Sequence, residues 1–271
     1  MRPLLKWAGG KRSLLSEITR LFPSDHRERR YHEPFFGGGA VFFHLKPRGG
    51  TINDVNRRLM NFYRVVRDRP SELIAEASRY RYEEEEYYQR RTQFNSEVLS
   101  MVQEAALVLY LNKTAYNGLY RVNSKGEFNV PFGRHNNPTI VDDESIFEAS
   151  EVLRKVEIRS EDFNYVLPKA EEGDLCYLDP PYQPAGKTAN FTDYIPGGFT
   201  MEDQRRLRDL CIRLDGKGVN FVLSNSDTED VRQLFSGIDG FNIIQLRTKR
   251  MISSRVSSRG SGWDLLITNR P

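Results

Sequence analysis

The stretch "GDLCYLDPPYQP", residues 173–184, runs from an apolar segment into an abrupt Asp-Pro-Pro-Tyr ending. Its apolar content marks a buried strand, and Asp179 terminates it. Pro180 and Pro181 then fix a rigid extended turn; lacking N–H groups, they leave the local backbone presenting carbonyl acceptors without competing donors. The result is an acceptor-rich corner beside the aromatic plate of Tyr182. It suits an amino group carried on a flat ring: the Asp179 carboxylate and the Pro180 carbonyl each accept one N–H, while Tyr182 stacks on the ring face. An exocyclic amine of a nucleobase is a poor nucleophile because its lone pair is delocalised, and two acceptors placed off the ring plane favour the pyramidal nitrogen that develops during attack. Asp179 helps remove the proton once positive charge forms, without being a strong base beforehand. Taken alone, the same four residues also describe a proline-stiffened loop with a capping aspartate.

Around this corner, six further runs carry strand-like content: "YHEPF" from Tyr31, "TINDV" from Thr51, "VEIRS" from Val156, "VNFVLSN" from Val219, "FNIIQLRT" from Phe241 and "WDLLITN" from Trp263. Helical patterns separate most of them: "KRSLLSEITRLF", the long stretch 56–88, "DDESIFEASEVLR", "TMEDQRRLRDLCIRL" and "DTEDVRQLF". Thr200 followed by Glu202 and Asp203 marks a helix start that Gly216 and Gly218 close. Such alternation predicts an α/β fold with a mostly parallel sheet covered on both faces and ligands bound beyond the carboxyl ends of its strands. Between the last two runs lies only the loop 249–262, which predicts an antiparallel pair at one end of the sheet. Alternation fails between residues 57 and 142, too long for an ordinary crossover, and this segment is expected to be an inserted helical domain. The core domain is then 1–56 together with 143–271.

The chain has 271 residues, 38% hydrophobic and 28% charged, with a mean hydropathy of −0.60. No apolar stretch approaches the roughly 20 residues of a membrane helix, and Trp7-Ala8-Gly9-Gly10-Lys11 interrupts any signal-peptide core, so a cytoplasmic protein with no membrane partner is expected. Two cysteines, Cys176 and Cys211, make neither a disulfide framework nor a zinc knuckle, and the four histidines show no metal-ligand spacing; no metal is expected. Net charge is only +3, but arginines recur in "RRTQF", "LYRVNSKGEF", "FGRHN" and "LRTKRMISSRVSSRG", compatible with a basic face or with solvated surface.

A second constellation occupies the first 54 residues. In "EPFFGGGAVFFHL", Glu33 stands at a strand end, followed by Phe35 and by Gly37, Gly38 and Gly39, where glycines let backbone approach a bound cofactor closely. About one strand later, Asp54 in "TINDVN" stands where an acid holds ribose hydroxyls. The pattern is not G-x-G-x-x-G, which disfavours a pyrophosphate cofactor.

In this order the fragments resemble the Dam family of DNA N6-adenine methyltransferases, of the D12 class, over nearly the whole length: "KWAGGKRSLL", "EPFFGGGAVFF", "INDVN", "LYLNKTAYNGLYRVNSKGEFNVPFGRH", "LDPPYQP", "TANFTDYIPGGFT" and "DLLITN". The resemblance implies a Rossmann-like methyltransferase sheet with an inserted target-recognition domain, S-adenosyl-L-methionine as cofactor, and double-stranded DNA as partner; a monomer is expected, with an oligomer left open. It implies that Trp7, Ala8, Gly9, Gly10 and Lys11 close over the methionine end, with Lys11 facing its carboxylate. Glu33, Phe35, Gly37, Gly39 and Asp179 line the cofactor, Asp54 binds ribose, and Asp162 with Phe163 flank adenine. Asp179, Pro180, Pro181 and Tyr182 match the catalytic motif.

In the insertion, Lys113, Arg121, Lys125 and Arg134 interleave with Tyr116, Tyr120, Phe128 and Phe132, a mixture suited to phosphate contacts and to filling the space left by a displaced base. Arg121 is suited to guanine O6 and N7, and Leu119 or Pro131 to a thymine methyl. In family terms Arg121 matches the reader of the first guanine of GATC and Tyr116 an inserting aromatic; Asn117 and Asn123 complete the DNA-binding set. Two features depart from the family pattern: Trp263 at the start of the closing strand, and the charged block "RYRYEEEEYYQRR", expected to be a solvated helix. Cytosine N4, an RNA adenine or a side-chain amide are competing amines, a non-catalytic DNA-binding module is the competing class, and a nicotinamide dehydrogenase explains the glycines but not the corner.

Overall fold

All seven strand-like runs become strands of one sheet in the computed structural model, which describes residues 1–182, 198–249 and 261–270. They are β1 (Tyr31–Glu33), β2 (Gly50–Asn53), β3 (Glu157–Arg159), β4 (Leu175–Leu178), β5 (Asn220–Ser226), β6 (Asn242–Lys249) and β7 (Ser261–Thr268). Their order is β3-β2-β1-β4-β5-β7-β6. The β1–β2, β2–β3, β1–β4 and β4–β5 pairs are parallel, and β7 runs antiparallel to both β5 and β6. The expected antiparallel pair therefore closes one end, with β7 wedged between β5 and β6. The expectations placed on Gln183, Pro184, "TANFTDYIPG" and most of the 249–262 loop lie outside the described residues.

Why the sheet folds this way is visible in β4. All four of its residues are buried, as a central parallel strand covered on two faces requires. Successive side chains alternate: Leu175 and Tyr177 join one hydrophobic cluster, Cys176 and Leu178 the other. Neighbouring strands obey the same parity, with Val222 and Leu266 on the first side and Phe221, Leu223, Leu265 and Ile267 on the second. One sheet thus divides two cores. From β1 the chain moves outward to β2 and β3, then returns to place β4 and β5 on the other side, so order reverses between β1 and β4. That switch point leaves a crevice at the strand carboxyl ends, where Glu33 and Asp179 stand.

The helices are α1 (Leu15–Arg20), α2 (Ala40–Leu45), α3 (Arg57–Asp68), α4 (Pro70–Ala77), α5 (Glu84–Ser96), α6 (Met101–Thr114), α7 (Asp143–Leu153), α8 (Val166–Lys169), α9 (Met201–Gly216) and α10 (Glu229–Phe235). Thr200 caps α9 through a reciprocal box with Asp203, and Gly218, at φ 73°, returns its N–H to Asp215 at 2.8 Å. The stretch 56–88 is not one helix. Asn56 caps α3, and Pro70 breaks it because the preceding Arg69 is driven out of the helical region, to φ −137°.

One reading of the insertion is corrected. Helix α6, which the helical patterns above do not include, has residues 105–112 all buried; an element enclosed on every side shows no amphipathic period. The charged block enters helix α5 only at Glu84, and that helix is not a solvated one: Tyr87 and Phe94 are wholly buried and Glu86 nearly so. Together α3 to α6 share one hydrophobic cluster with Phe42, Phe43 and Ile52 of the sheet region. Among the described residues, no helix is long and apolar enough to cross a membrane.

Candidate active site

At the tip of β4, Asp179 meets Lys11. The turn from Trp7 to Gly10, closed by Gly10 N–H to Trp7 C=O and by Gly9 at φ 78°, delivers the lysine from the N-terminal segment. Its Nζ lies 2.6 Å from Asp179 Oδ1, donates to Gly9 O at 2.9 Å and stands 4.5 Å from the centroid of the Tyr182 ring. Burial works against the ammonium, but Asp179 and Tyr182 outweigh it and raise Lys11 above its ordinary range. For Asp179, burial pushes the carboxyl upward, the Lys11 charge pulls it down, and Asp264 adds to the upward push. Lys11, which the resemblance assigns to a methionine carboxylate, is here bonded to Asp179 of the Asp-Pro-Pro-Tyr corner. Pro180 is buried, and Pro181 and Tyr182 are half-buried.

Glu33 closes the floor beside this corner. It is 2% exposed and accepts from the Tyr31 hydroxyl at 2.8 Å, and burial raises its carboxyl well above the usual range. Asp54 receives the Gly37 N–H at 3.0 Å and the Asn56 N–H at 2.9 Å; burial raises it and these two bonds oppose. The glycines make room chiefly for the protein's own rings. A Cβ on Gly37, at φ 48°, would lie 2.8 Å from Trp7 Cδ1, and one on Gly39 would lie 2.5 Å from Phe36 Cζ. Trp7 is half-buried and stacks on Tyr120, centroids 5.2 Å apart; Ala8 is half-buried, and Gly9 and Gly10 are exposed.

A second pole is aromatic. Phe35 lies 5.2 Å from Phe163 and 5.8 Å from Phe199, and Phe163 lies 6.0 Å from Phe199, ring centre to ring centre. Asp162 caps the short turn carrying Phe163 and pairs at 2.7 Å with Arg206, whose guanidinium covers the Phe163 ring at 4.8 Å. Phe199 and Arg206 were not picked out from sequence; their one local signal is their place beside the Thr200 cap. Ser224 and Asp264 were also missed, and both touch the Tyr182 hydroxyl. A lone charge inside the apolar "WDLLITN" was the available sign.

The insertion's hairpin sorts its residues. Tyr116, Asn117, Pro131 and Arg134 are exposed, with Asn117 at φ 55°, and the Tyr116 N–H donates to the Pro131 carbonyl at 2.9 Å. Lys113 and Leu119 are half-buried. Arg121 Nε donates to Asn129 Oδ1 at 2.8 Å across the hairpin. Asn123 holds the turn itself, accepting from Lys125 N and Glu127 N at 2.9 and 3.0 Å. Of the four aromatics read as DNA-facing, Tyr120 and Phe128 are buried and Phe132 packs against the core, so Tyr116 alone projects. Trp263 is 45% exposed, outside the core. No cluster of three metal-ligating side chains forms among the described residues.

The family description "D12 class N6 adenine-specific DNA methyltransferase" matches residues 7–252. The chain is 42% identical over 276 residues to the Type II methyltransferase M1.LlaDCHI of Lactococcus lactis subsp. cremoris, covering 99% of this chain and 95% of that one. It is 41% identical over 290 residues to the Type II methyltransferase M.MjaIII of Methanocaldococcus jannaschii, covering 99% of each. A DNA adenine methylase of Vibrio cholerae serotype O1 is 36% identical over 275 residues, covering 100% of this chain and 96% of that one. With an acceptor corner at the sheet's switch point and this likeness from end to end, the chain belongs to the D12 class of N6 adenine-specific DNA methyltransferases.

Proposed function

We propose that this enzyme uses S-adenosyl-L-methionine to methylate N6 of an adenine extruded from double-stranded DNA, within GATC. The observation that carries this reading is the Lys11–Asp179–Tyr182 constellation at the carboxyl end of β4, because it joins an acceptor, a cation and an aromatic plate at one point.

The residues present fit the cofactor. The packed Phe35, Phe163 and Phe199 rings would offer an aromatic surface to a flat ring, with Asp162 beside them, Asp54 would offer carboxylate oxygens for hydroxyls, and the backbone of the Trp7–Lys11 turn would face a carboxylate, the Lys11 ammonium itself being paired with Asp179. When bound, S-adenosyl-L-methionine supplies a methyl group activated by a sulfonium. In this reading Glu33, Gly37 and Gly39 belong to the cofactor's lining.

A base inside the duplex stack is out of reach of any such corner, so the adenine must be displaced. Tyr182 stacks on the displaced ring, while Asp179 and the Pro180 carbonyl accept from N6 and Pro181 keeps the turn stiff. Transfer would form the N6–methyl bond as the methyl–sulfur bond breaks and a neutral thioether leaves, and the proton then released from N6 would pass to Asp179, whose burial favours holding it. Residues 57–142 read the target and residues 1–56 with 143–271 carry the chemistry. Arg121 reads guanine, Leu119 or Pro131 meets thymine, Tyr116 fills the gap, and Lys113, Asn117, Asn123 and Arg134 contact the backbone.

The test compares methyl incorporation into duplexes carrying one GATC, adenine-free duplexes of guanine and cytosine, and RNA of the same sequence as the first. Incorporation confined to the first and lost in Asp179→Ala supports the reading. Full turnover by Asp179→Ala, or preference for cytosine or RNA, overturns it.

A further inference from the structure

The plate of the catalytic corner is held at its rim as well as over its face. The Tyr182 hydroxyl lies 3.0 Å from Ser224 Oγ on β5 and donates to Asp264 Oδ2 on β7 at 3.1 Å. Both anchors are buried, Ser224 at 0% and Asp264 at 7% exposure. The phenolic hydroxyl has one proton, and donating it to Asp264 Oδ2 leaves Ser224 to give its own to the phenolic oxygen.

The topology explains why these two residues can meet there. Parallel strands bring only their carboxyl ends to the active edge, whereas antiparallel β7 brings its beginning. Asp264 lies opposite Ser226 in the β5–β7 register, and Ser224, two residues before Ser226, projects on the same face. The Pro180–Pro181 turn stiffens the backbone before Tyr182 but leaves the ring's own torsions unset.

We propose that Asp264 and Ser224 are positioning residues that lock the plane of Tyr182, so that the displaced base meets a ring already oriented. The inference rests on the reading in which Tyr182 stacks on adenine. It assigns a task to the antiparallel strand, which sets the speed of methyl transfer without touching the methyl donor. Losing one such buried bond lowers kcat about tenfold while the KM for S-adenosyl-L-methionine stays within about twofold.

The experiment is a double-mutant cycle on the full chain. Methylation kinetics and the fluorescence of a duplex with 2-aminopurine at the target adenine are measured for wild type, Asp264→Ala, Asp264→Asn, Tyr182→Phe and the Tyr182→Phe/Asp264→Ala pair. The expected result is a kcat loss in Asp264→Ala, recovery in Asp264→Asn, which keeps an acceptor oxygen, and a pair no worse than Tyr182→Phe alone. The 2-aminopurine signal of Asp264→Ala should match that of Tyr182→Phe. An unchanged kcat, or losses that multiply in the pair, overturns the inference. Should thermal melts show that Asp264→Ala does not fold, the same cycle run with Ser224→Ala decides by the same outcomes. Tyr182→Ala separates the two levels: wild-type rate and wild-type fluorescence in that variant would sink the stacking itself, whereas loss there with multiplicative losses in the cycle sinks only the role of the anchors.

Discussion

Lys11 Nζ and Asp179 Oδ1 stand 2.6 Å apart, and the lysine side of the pair is almost closed to solvent. A buried pair of this kind is more telling when broken than when intact, since removing one member strands the other's charge. The cation that neutralises Asp179 also leans on the Tyr182 ring, so one ammonium conditions both the acceptor and the plate.

Lys11→Met should therefore raise the Asp179 carboxyl further, since burial already pushes it upward and the opposing charge is gone. If the ionised form is the competent one, the acid limb of the kcat–pH profile moves to higher pH, by about 1–3 units. A profile with an unmoved acid limb would show that the pair does not govern the acceptor.

Phe199→Ala should weaken S-adenosyl-L-methionine by about tenfold or less, the scale of one aromatic contact, with kcat little changed. Tryptophan-quenching titration of wild type and variant provides the comparison. Equal affinities would remove Phe199 from that aromatic surface.

Arg121→Ala should cost about 1–3 kcal/mol of discrimination at the first guanine of the site. Competition between GATC and duplexes altered at that letter measures it. Arg134→Ala, by contrast, should weaken all duplexes alike and flatten the salt dependence by about one unit of slope.

Stability has its own titrating centre, away from the corner. His32, wholly buried, bonds through Nδ1 to Thr51 Oγ1 at 2.8 Å and through Nε2 to Asp174 Oδ2 at 2.9 Å, and Thr51 meets the Tyr165 hydroxyl at 2.7 Å. Burial opposes the Asp174 carboxylate, but His32 and the Glu171 amide outweigh it and hold the group below its ordinary value. A depressed folded-state pKa gives stability that is full above the unfolded value, about 3.9, and is lost as pH falls through the folded one. Asp174→Asn should thus lower the melting temperature at neutral pH, with the gap to wild type shrinking below about pH 4. A gap that holds constant into acid would contradict this.

Much of the fold was legible because parallel strands buried on two faces are short apolar runs, and because the α9 boundary is written in Thr200 and Asp203. Helix α6 escaped because a segment buried all round, from Ala105 to Asn112, carries no polar stripe; the Ser100–Gln103 capping box was its local mark. The site divides in the same manner. Asp179, Tyr182 and Lys11 sit in motifs, whereas Ser224, Asp264, Phe199 and Arg206 acquire meaning only when distant strands and a helix start converge. Tyr120 and Phe128 illustrate the opposite error: interleaving with basic residues looks like a DNA-facing surface, yet both rings tie the hairpin into the shared hydrophobic cluster.

The indole of Trp7 rests on Gly37 and Gly38 below and on Tyr120 above, and the backbone of Lys6 just before it is clasped by Asn112, which also grips Gly118. Chain start and hairpin are thereby keyed to each other. A hairpin grafted from a relative would seat only if the opening turn travelled with it; the two segments are exchanged as a matched pair or not at all.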